Sequence, residues 1–408
     1  MISERIKHMI AISMATFFVI ITAACADLEV PEQSNEVVMA PVFEVDPMWP
    51  KPLPNHWILG SAIGVTADSQ DNIWIIHRGN GNPRTELGAA QDPPTADCCI
   101  PAPPVLQFDP EGNLLNHWGG PGDGYDWPAS NHGITADPMD NLWIGGNGSD
   151  DAHILVFAKD GTFLKQFGKP GTRRSESVDK STPQWSGNST DTKNFGRVAK
   201  ISFDANASEA YVADGYLNKR VAVLDIETGA FKRYWGAYGN EPDDTDLGLY
   251  DPSAPPVAQF RNPVHAADPS EDGHVYVCDR PNNRIQVFKT DGTFVMEAII
   301  AGHTMGDGST WDVAFSKDPE QKYLYVADGK NMKVHVLLRK TMEVLNTFGD
   351  GGRQPGQFFG VHSIATDSKG NIYTTETYEG KRLQKFTYKG VAPAERKDQG
   401  VVWPTASR

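Results

Sequence analysis

Three histidines that stand far apart in the chain share one short sequence context. His132 lies in Asn131-His132-Gly133-Ile134, His265 follows Pro263-Val264, and His362 lies in Val361-His362-Ser363-Ile364. Three imidazoles that meet at one point suit a tetrahedral zinc ion with one open position, which is the arrangement of catalytic zinc. No local ligand motif joins these residues, so the fold must bring them together if they share an ion.

The chain contains an internal repeat. One copy reads Gly64-Val-Thr-Ala-Asp68 followed by Asp71-Asn72-Ile-Trp74, and the next reads Gly133-Ile-Thr-Ala-Asp137 followed by Asn141-Leu-Trp143. Successive copies start about 50 to 70 residues apart, a spacing typical of repeat architectures. The remaining four copies begin at Ile201, His265, Trp311 and Ser363.

Each copy alternates apolar and polar residues across a Gly/Asn/Asp turn, which is the pattern of a β-hairpin. A third strand such as Arg284–Phe288 follows, and then a fourth such as Asp160–Gly168, which ends in Phe-Gly. Six units of four antiparallel strands predict an all-β protein, a six-bladed β-propeller built from NHL-type repeats, over residues 42–392. A β-sandwich is the alternative, and six spaced copies of one unit disfavour it.

The innermost strand of each propeller blade lines the central axis, so residues at the start of these strands converge on one mouth of the channel. The three histidines occupy that position in blades two, four and six, which gives near-threefold symmetry. A single histidine there would more simply be a hydrogen-bonded interior residue. Three in alternate blades predict that His132, His265 and His362 hold a zinc ion.

Several short sequence motifs around these residues resemble those of a known enzyme family. Ile76-His77-Arg78-Gly79, Asp214-Gly215-Tyr216 and Asp279-Arg280-Pro-Asn-Asn283-Arg284 resemble peptidyl-α-hydroxyglycine α-amidating lyase, and the likeness runs from Trp57 to Phe386. The resemblance implies a lyase that cleaves an N-acyl carbinolamide, a small or peptide-derived α-hydroxy substrate, to an amide and glyoxylate. It implies zinc on the three histidines, Tyr216 as the catalytic phenol, and Arg78 and Arg284 at the substrate.

The resemblance also implies a structural calcium ion in the central channel, held by the backbone carbonyls of Val65, Ile134 and Ile364. Two departures bear on the site. The family usually has an aspartate after its third histidine, where this chain has Ser363, and a cysteine after its tyrosine, where this chain has Leu217. A carboxylate beside a metal ligand often orients the imidazole, so the serine can alter the metal or the chemistry.

Two other functions fit a propeller, because this fold hosts many activities. One is a metal-dependent lactone or ester hydrolase, which would need acidic and amide side chains at a calcium ion. The other is a non-catalytic NHL scaffold that binds a protein or a peptide. A nucleic-acid partner is disfavoured, since the 408-residue chain has a net charge of −15 and no basic stripe.

The first 25 residues have the pattern of a signal peptide: a basic start, an apolar run and small residues before Cys25. The ending resembles a lipobox, so we expect an exported protein, a periplasmic or outer-membrane-anchored lipoprotein or otherwise a secreted one. Its only membrane contact would be that lipid anchor. Residues 26–41 are expected to be a tether and residues 393–408 a tail. Cys278 is expected to be a buried thiol, and the pairing of adjacent Cys98 and Cys99 stays open.

Overall fold

The structure is a computed structural model that describes residues 37–175 and 184–404. Within those ranges the helical segments are three-residue 3₁₀ turns at Gly79–Gly81, Arg84–Glu86, Gly88–Ala90, Ala237–Gly239 and Arg280–Asn282. The strands in chain order are β1 (Met39–Asp46), β2 (Trp57–Ile58), β3 (Ser61–Ala67), β4 (Ile73–Arg78), β5 (Ile100–Pro101), β6 (Val105–Phe108), β7 (Leu114–Trp118), β8 (Asn131–Ala136), β9 (Leu142–Gly146), β10 (His153–Phe157), β11 (Phe163–Gly168), β12 (Arg174–Ser175), β13 (Gln184–Trp185), β14 (Val198–Asp204), β15 (Glu209–Asp214), β16 (Arg220–Asp225), β17 (Phe231–Trp235), β18 (Val264–Pro269), β19 (His274–Asp279), β20 (Arg284–Lys289), β21 (Phe294–Ile299), β22 (Asp312–Phe315), β23 (Tyr323–Asp328), β24 (Lys333–Leu338), β25 (Glu343–Phe348), β26 (Val361–Thr366), β27 (Ile372–Glu376) and β28 (Leu383–Pro393).

Six four-stranded antiparallel sheets form the blades, which confirms the predicted propeller. Blades one to five are made of strands in the orders β3-β4-β6-β7, β8-β9-β10-β11, β14-β15-β16-β17, β18-β19-β20-β21 and β22-β23-β24-β25. Blade six joins both ends of the described chain, because β1 pairs with β28 outside β26 and β27. This pairing closes the ring and leaves the six first strands of the repeat, β3, β8, β14, β18, β22 and β26, around the axis.

The repeated aspartate explains why each copy of the sequence folds alike. Asp68 accepts hydrogen bonds from the backbone N–H of Gln70 and of Asn72 and, at 3.0 Å, from the indole N–H of Trp74. Asp137 and Trp143 repeat this in blade two, and Asp367 receives the hydroxyl of Tyr373 in blade six. One carboxylate therefore closes the turn and fixes the aromatic side chain that packs between blades.

The ends of the propeller differ from the sequence-based boundaries. Strand β1 begins at Met39, within the stretch expected to be a tether, and β28 continues to Pro393. The segment expected to be a tail adds backbone hydrogen bonds to blades five and six, among them Ala394 to Val38 at 2.8 Å and Gly349 to Gly400 at 2.7 Å. The signal region, Cys25 and residues 26–36 lie outside the described residues.

The structure shows the bonding state of each cysteine that it describes. Cys98 and Cys99 form a disulfide with each other in the long connection within blade one. Cys278 is a free thiol buried in β19, as the strand pattern predicted. In the part of the chain that the structure describes, none of the helical segments has the length and apolar character needed to cross a membrane.

Candidate metal centre

The structure brings the three histidines together on the axis. Each is the second residue of an inner strand, His132 in β8, His265 in β18 and His362 in β26. The strand pairing shifts register at each of them, and such β-bulges re-aim a side chain. Their ligand nitrogens lie within 4.8 Å of one another, and all three residues are buried. Atoms at this separation could hold one metal ion between them.

The far side of each imidazole is held by the next blade. His132 donates from Nδ1 to the carbonyl of Ala199 at 2.7 Å, and His265 donates from Nδ1 to the carbonyl of Trp311 at 2.5 Å. His362 turns Nδ1 toward the carbonyl of Ile63 without reaching full hydrogen-bond geometry. A proton held on Nδ1 leaves the Nε2 lone pair free, and this carbonyl-to-imidazole support is typical of metal-binding histidines.

Electrostatics keep these imidazoles neutral. Burial holds the pKa of His132, His265 and His362 well below 6.5, and the positive charges of Arg78 and Arg280 lower it further for His132 and His362. A metal ligand must be deprotonated, so all three histidines are ready to bind a cation at neutral pH. The donor set of three neutral imidazoles fits zinc.

Tyr216 stands directly beside the three imidazoles. Its hydroxyl lies 3.0 Å from Nε2 of His132 and 3.0 Å from Nε2 of His265. The preceding Gly215 makes this approach possible, because a Cβ there would stand 2.0 Å from the carbonyl oxygen of Val264. The sequence-predicted phenol is thus within hydrogen-bond reach of two of the three ligands.

Arg78 lies at the same mouth of the channel, at the end of β4. Its guanidinium donates to the carbonyl of Asn131 at 2.9 Å and to the side chain of Asn147 at 2.7 Å. Burial lowers its pKa, while the nearby Tyr216 and Asp151 favour the charged form. The residue is therefore fixed next to the strand that carries His132, in a position from which it can face an anion.

The two arginines of blade four have different surroundings. Arg284, expected at the substrate, is 1% exposed and its guanidinium binds Asp279 at 2.8 Å and the backbone carbonyls of Val257 and Gln259. The arginine that reaches Tyr216 is Arg280, whose NH1 donates to the hydroxyl at 3.3 Å. The Arg280 guanidinium also lies 4.4 Å from the ring centroid of Trp311, which packs against His265 and His362.

A repeated position explains this difference. Arg220 pairs with Asp214 in blade three and Arg382 with Glu376 in blade six, each at the start of the third strand like Arg284. Arg284 therefore occupies a structural position of the repeat, whereas the corresponding residues after Asp214 and Asp328 are glycines where blade four has Arg280. The sequence reasoning missed Arg280, and its departure from the repeat was the available signal.

A second polar layer lies further along the inner strands, one residue beyond the histidine position at Lys200, Asp312 and Ser363 and three residues beyond it at Asp268. Lys200 of blade three places its ammonium 2.6 Å from Asp312 and 2.8 Å from Asp268, and Ser363 donates to Asp312 at 2.5 Å. Two of the residues whose carbonyls were expected to hold calcium, Val65 and Ile364, line the same axial cavity of about 230 Å³ as Lys200 and Asp268, and the third, Ile134, lies in neighbouring β8.

This donor set does not fit the expected calcium ion. Calcium takes six to eight oxygen ligands, usually with carboxylates among them. Here both carboxylates are engaged by the Lys200 ammonium, and the residue after His362 is Ser363. The Lys200 ammonium between these carboxylates disfavours a calcium ion there, and the expectation of calcium on the carbonyls of Val65, Ile134 and Ile364 stays a prediction.

Comparisons with known proteins agree with the fold. The NHL repeat model matches residues 270–288. NHL repeat-containing protein 3 of Mus musculus is 24% identical over 85% of this chain and 84% of its own length. Peptidyl-alpha-hydroxyglycine alpha-amidating lyase 1 of Drosophila melanogaster is 24% identical over 84% of this chain, which spans 59% of that protein. The solved virginiamycin B lyase of Staphylococcus aureus aligns over 85% of this chain and 99% of its own, with 11% identity and a TM-score of 0.46. The chain is an NHL-repeat six-bladed β-propeller with distant similarity to the amidating lyases and to NHL repeat-containing protein 3.

Proposed function

We propose that this protein is a zinc-dependent lyase that splits an N-acyl-α-hydroxyglycine into an amide and glyoxylate. One observation carries the proposal: the Tyr216 hydroxyl lies 3.0 Å from Nε2 of His132 and of His265 and accepts a hydrogen bond from Arg280 at 3.3 Å. A phenol, a cluster of neutral imidazoles and a guanidinium are the groups that this reaction needs. Distant similarity to a fly lyase over 84% of the chain supports the same chemistry.

The metal would be held by His132, His265 and His362, whose burial keeps them neutral. When bound there, zinc supplies a Lewis acid that lowers the pKa of a hydroxyl group, as it does for water. The remaining tasks belong to side chains: orienting the substrate carboxylate and moving one proton.

Arg280 and Arg78 are the candidates for holding the substrate carboxylate, because both are fixed near Tyr216 and a guanidinium binds a carboxylate through two parallel hydrogen bonds. Tyr216, as the phenolate, accepts the proton of the substrate hydroxyl. The C–O bond then becomes the aldehyde carbonyl of glyoxylate, the C–N bond breaks, and the amide nitrogen takes the proton back from the Tyr216 hydroxyl. Tyr378, half exposed and with its ring 6.4 Å from that of Trp311, lies at the rim.

The test measures glyoxylate released from an N-acyl-α-hydroxyglycine by the zinc-loaded protein. We expect Tyr216→Phe to lower turnover by about 10²- to 10⁴-fold, the usual contribution of a general acid–base group, while zinc content stays unchanged. Tyr234→Phe is the matched control, since that phenol bonds Glu241 and lies away from the histidines. A zinc-loaded protein that releases no glyoxylate, or a Tyr216→Phe variant as active as its parent, would overturn the proposal.

The same preparation discriminates the competing functions. Turnover of lactones or esters without glyoxylate release would favour a hydrolase. Absence of both zinc and turnover would favour a non-catalytic binding scaffold. The similarity to NHL repeat-containing protein 3 over 85% of the chain is compatible with that alternative.

We further propose that the protein works outside the cytoplasm. The basic and apolar start of the chain and the small residues before Cys25 support export, and so does the Cys98–Cys99 disulfide, since disulfides persist in oxidising compartments. Cell fractionation tests this: we expect the protein in the membrane fraction, and its release on Cys25→Ala if the cysteine carries lipid. Recovery of the full-length chain in the cytosol would contradict export.

A further inference from the structure

The axial channel contains a lysine at a depth where a propeller has little room for a long charged side chain. The Lys200 side chain is 12% exposed, and it leaves β14 in a layer otherwise occupied by Gly133 of blade two and Ser363 of blade six. Burying an ammonium is costly unless it is paired. The lysine therefore has a partner set that compensates for its burial.

That partner set spans several blades. The Lys200 ammonium lies 2.8 Å from Asp268 of blade four and 2.6 Å from Asp312 of blade five. Asp312 uses its other oxygen to accept from the Ser363 hydroxyl at 2.5 Å and from the Ile364 N–H at 3.0 Å, both in blade six. The Lys200 ammonium and the Asp312 carboxylate together thus connect four of the six inner strands.

Charge explains why a cation is needed there. Asp268 and Asp312 meet the same ammonium, and two carboxylates held together in a buried site cannot both stay ionised without a positive partner. Although burial alone would lower it, the two carboxylates hold the pKa of Lys200 above its ordinary value. A divalent ion or a lysine can each supply positive charge there, the ion with two charges and the lysine with one.

We propose that Lys200 is a built-in replacement for a divalent cation in the axial channel, so that the propeller holds its inner strands together without bound calcium. Two residues of this chain make the replacement of the cation possible. Lys200 brings the positive charge, and Ser363 stands where the resembling family has an aspartate, so that two carboxylates rather than three face the ammonium.

The wild-type protein provides the first test. After dialysis against EGTA, we expect no calcium by elemental analysis and a Tm that stays the same when millimolar calcium is added. About one calcium per chain that resists dialysis, or a Tm that rises with calcium, would overturn the proposal. The readout is unfolding in the absence of substrate, so it does not depend on the proposed lyase activity.

A variant provides the second test. Lys200→Ala removes the ammonium and leaves two carboxylates facing a cavity, so we expect its Tm to fall by about 5 °C or more and to recover on addition of calcium. Lys317→Ala is the control, because Lys317 is exposed at the mouth of the same cavity. If Lys200→Ala fails to fold, its refolding yield with and without calcium is measured instead. A variant as stable as wild type, or one that magnesium and calcium both leave unrescued, would contradict the proposal.

Discussion

Two neighbouring layers of the same channel are built on opposite electrostatic principles. The upper layer has three buried, uncharged imidazoles, and Nε2 of two of them, His132 and His265, lies 3.0 Å from the Tyr216 hydroxyl. The lower layer has Lys200 between Asp268 and Asp312, so its charges are paired within the protein. The lower layer therefore contains its own cation, whereas the upper layer presents a set of neutral nitrogen donors.

This difference indicates which of the two layers can bind a ligand. Buried groups that pair with one another hold the fold together, whereas groups anchored from behind by backbone carbonyls and left free in front are prepared for something from outside. The layers also touch: Ala199 and Trp311, whose carbonyls hold His132 and His265, directly precede Lys200 and Asp312 in the chain. A substitution in the lower layer should therefore also lower zinc affinity in the upper layer, but to a smaller extent.

The largest effect is expected in the upper layer. His362→Ala removes one of three ligands, so we expect zinc affinity to fall by more than about 100-fold, beyond the range seen when residues behind a ligand are changed. Competition with a zinc chelator measures it. His303→Ala, at an exposed loop position, should keep wild-type affinity. Equal affinities in the two variants would mean that zinc binds elsewhere.

Breaking the lower layer should act on stability first. Asp312→Ala leaves Lys200 with one carboxylate and removes the acceptor of Ser363, so the free energy of unfolding should fall by about 3–5 kcal/mol, as when one partner of a buried pair is removed. Urea denaturation measures it, with the exposed Asp123→Ala as control. Zinc affinity should fall less than in His362→Ala; a larger loss would mean that the layers are not separate.

The two arginines of blade four should also differ in whether their loss affects stability or activity. Arg284→Met breaks the buried pair with Asp279 and should lower the Tm, whereas Arg280→Met removes a donor to Tyr216 and should raise KM or lower kcat at nearly unchanged Tm. Thermal melts and glyoxylate assays on both variants separate the roles. The reverse pattern would return Arg284 to the substrate.

The smallest effect is a pH dependence of the metal-free protein. Burial lowers the pKa of His362 far below 6.5 in the folded protein. At mildly acidic pH the unfolded chain is therefore protonated at this residue, whereas the folded protein is not. Stability is then lost as the pH falls below about 6.5, since the unfolded state takes up more protons. Urea midpoints in EDTA between pH 7.5 and 5 should fall less for His362→Asn than for wild type. Parallel curves would show that the imidazole is already charged.

The sequence was sufficient for the propeller and for the histidines because both depend on repeat position. His132, His265 and His362 occupy one place in alternate copies, and a closed ring must bring such residues together. Tyr216 followed from resemblance, and its contact with the imidazoles is visible only in the structure.

The rest depends on distances across the channel. Arg284 shares its repeat position with Arg220 and Arg382, which marks it as structural, while Arg280 breaks the repeat. The sequence analysis did not single out Lys200, because its pairing with Asp268 and Asp312 depends on the width of the channel. No pattern along a single strand encodes a contact between three blades.

The most direct test of the metal centre is X-ray absorption at the zinc edge on protein loaded with one equivalent of zinc. We expect three imidazole nitrogens at about 2.0–2.1 Å and one light oxygen or nitrogen ligand, lost in His362→Ala. A spectrum with no imidazole scattering, or a protein that takes up no zinc at neutral pH, would contradict a metal site at the three histidines.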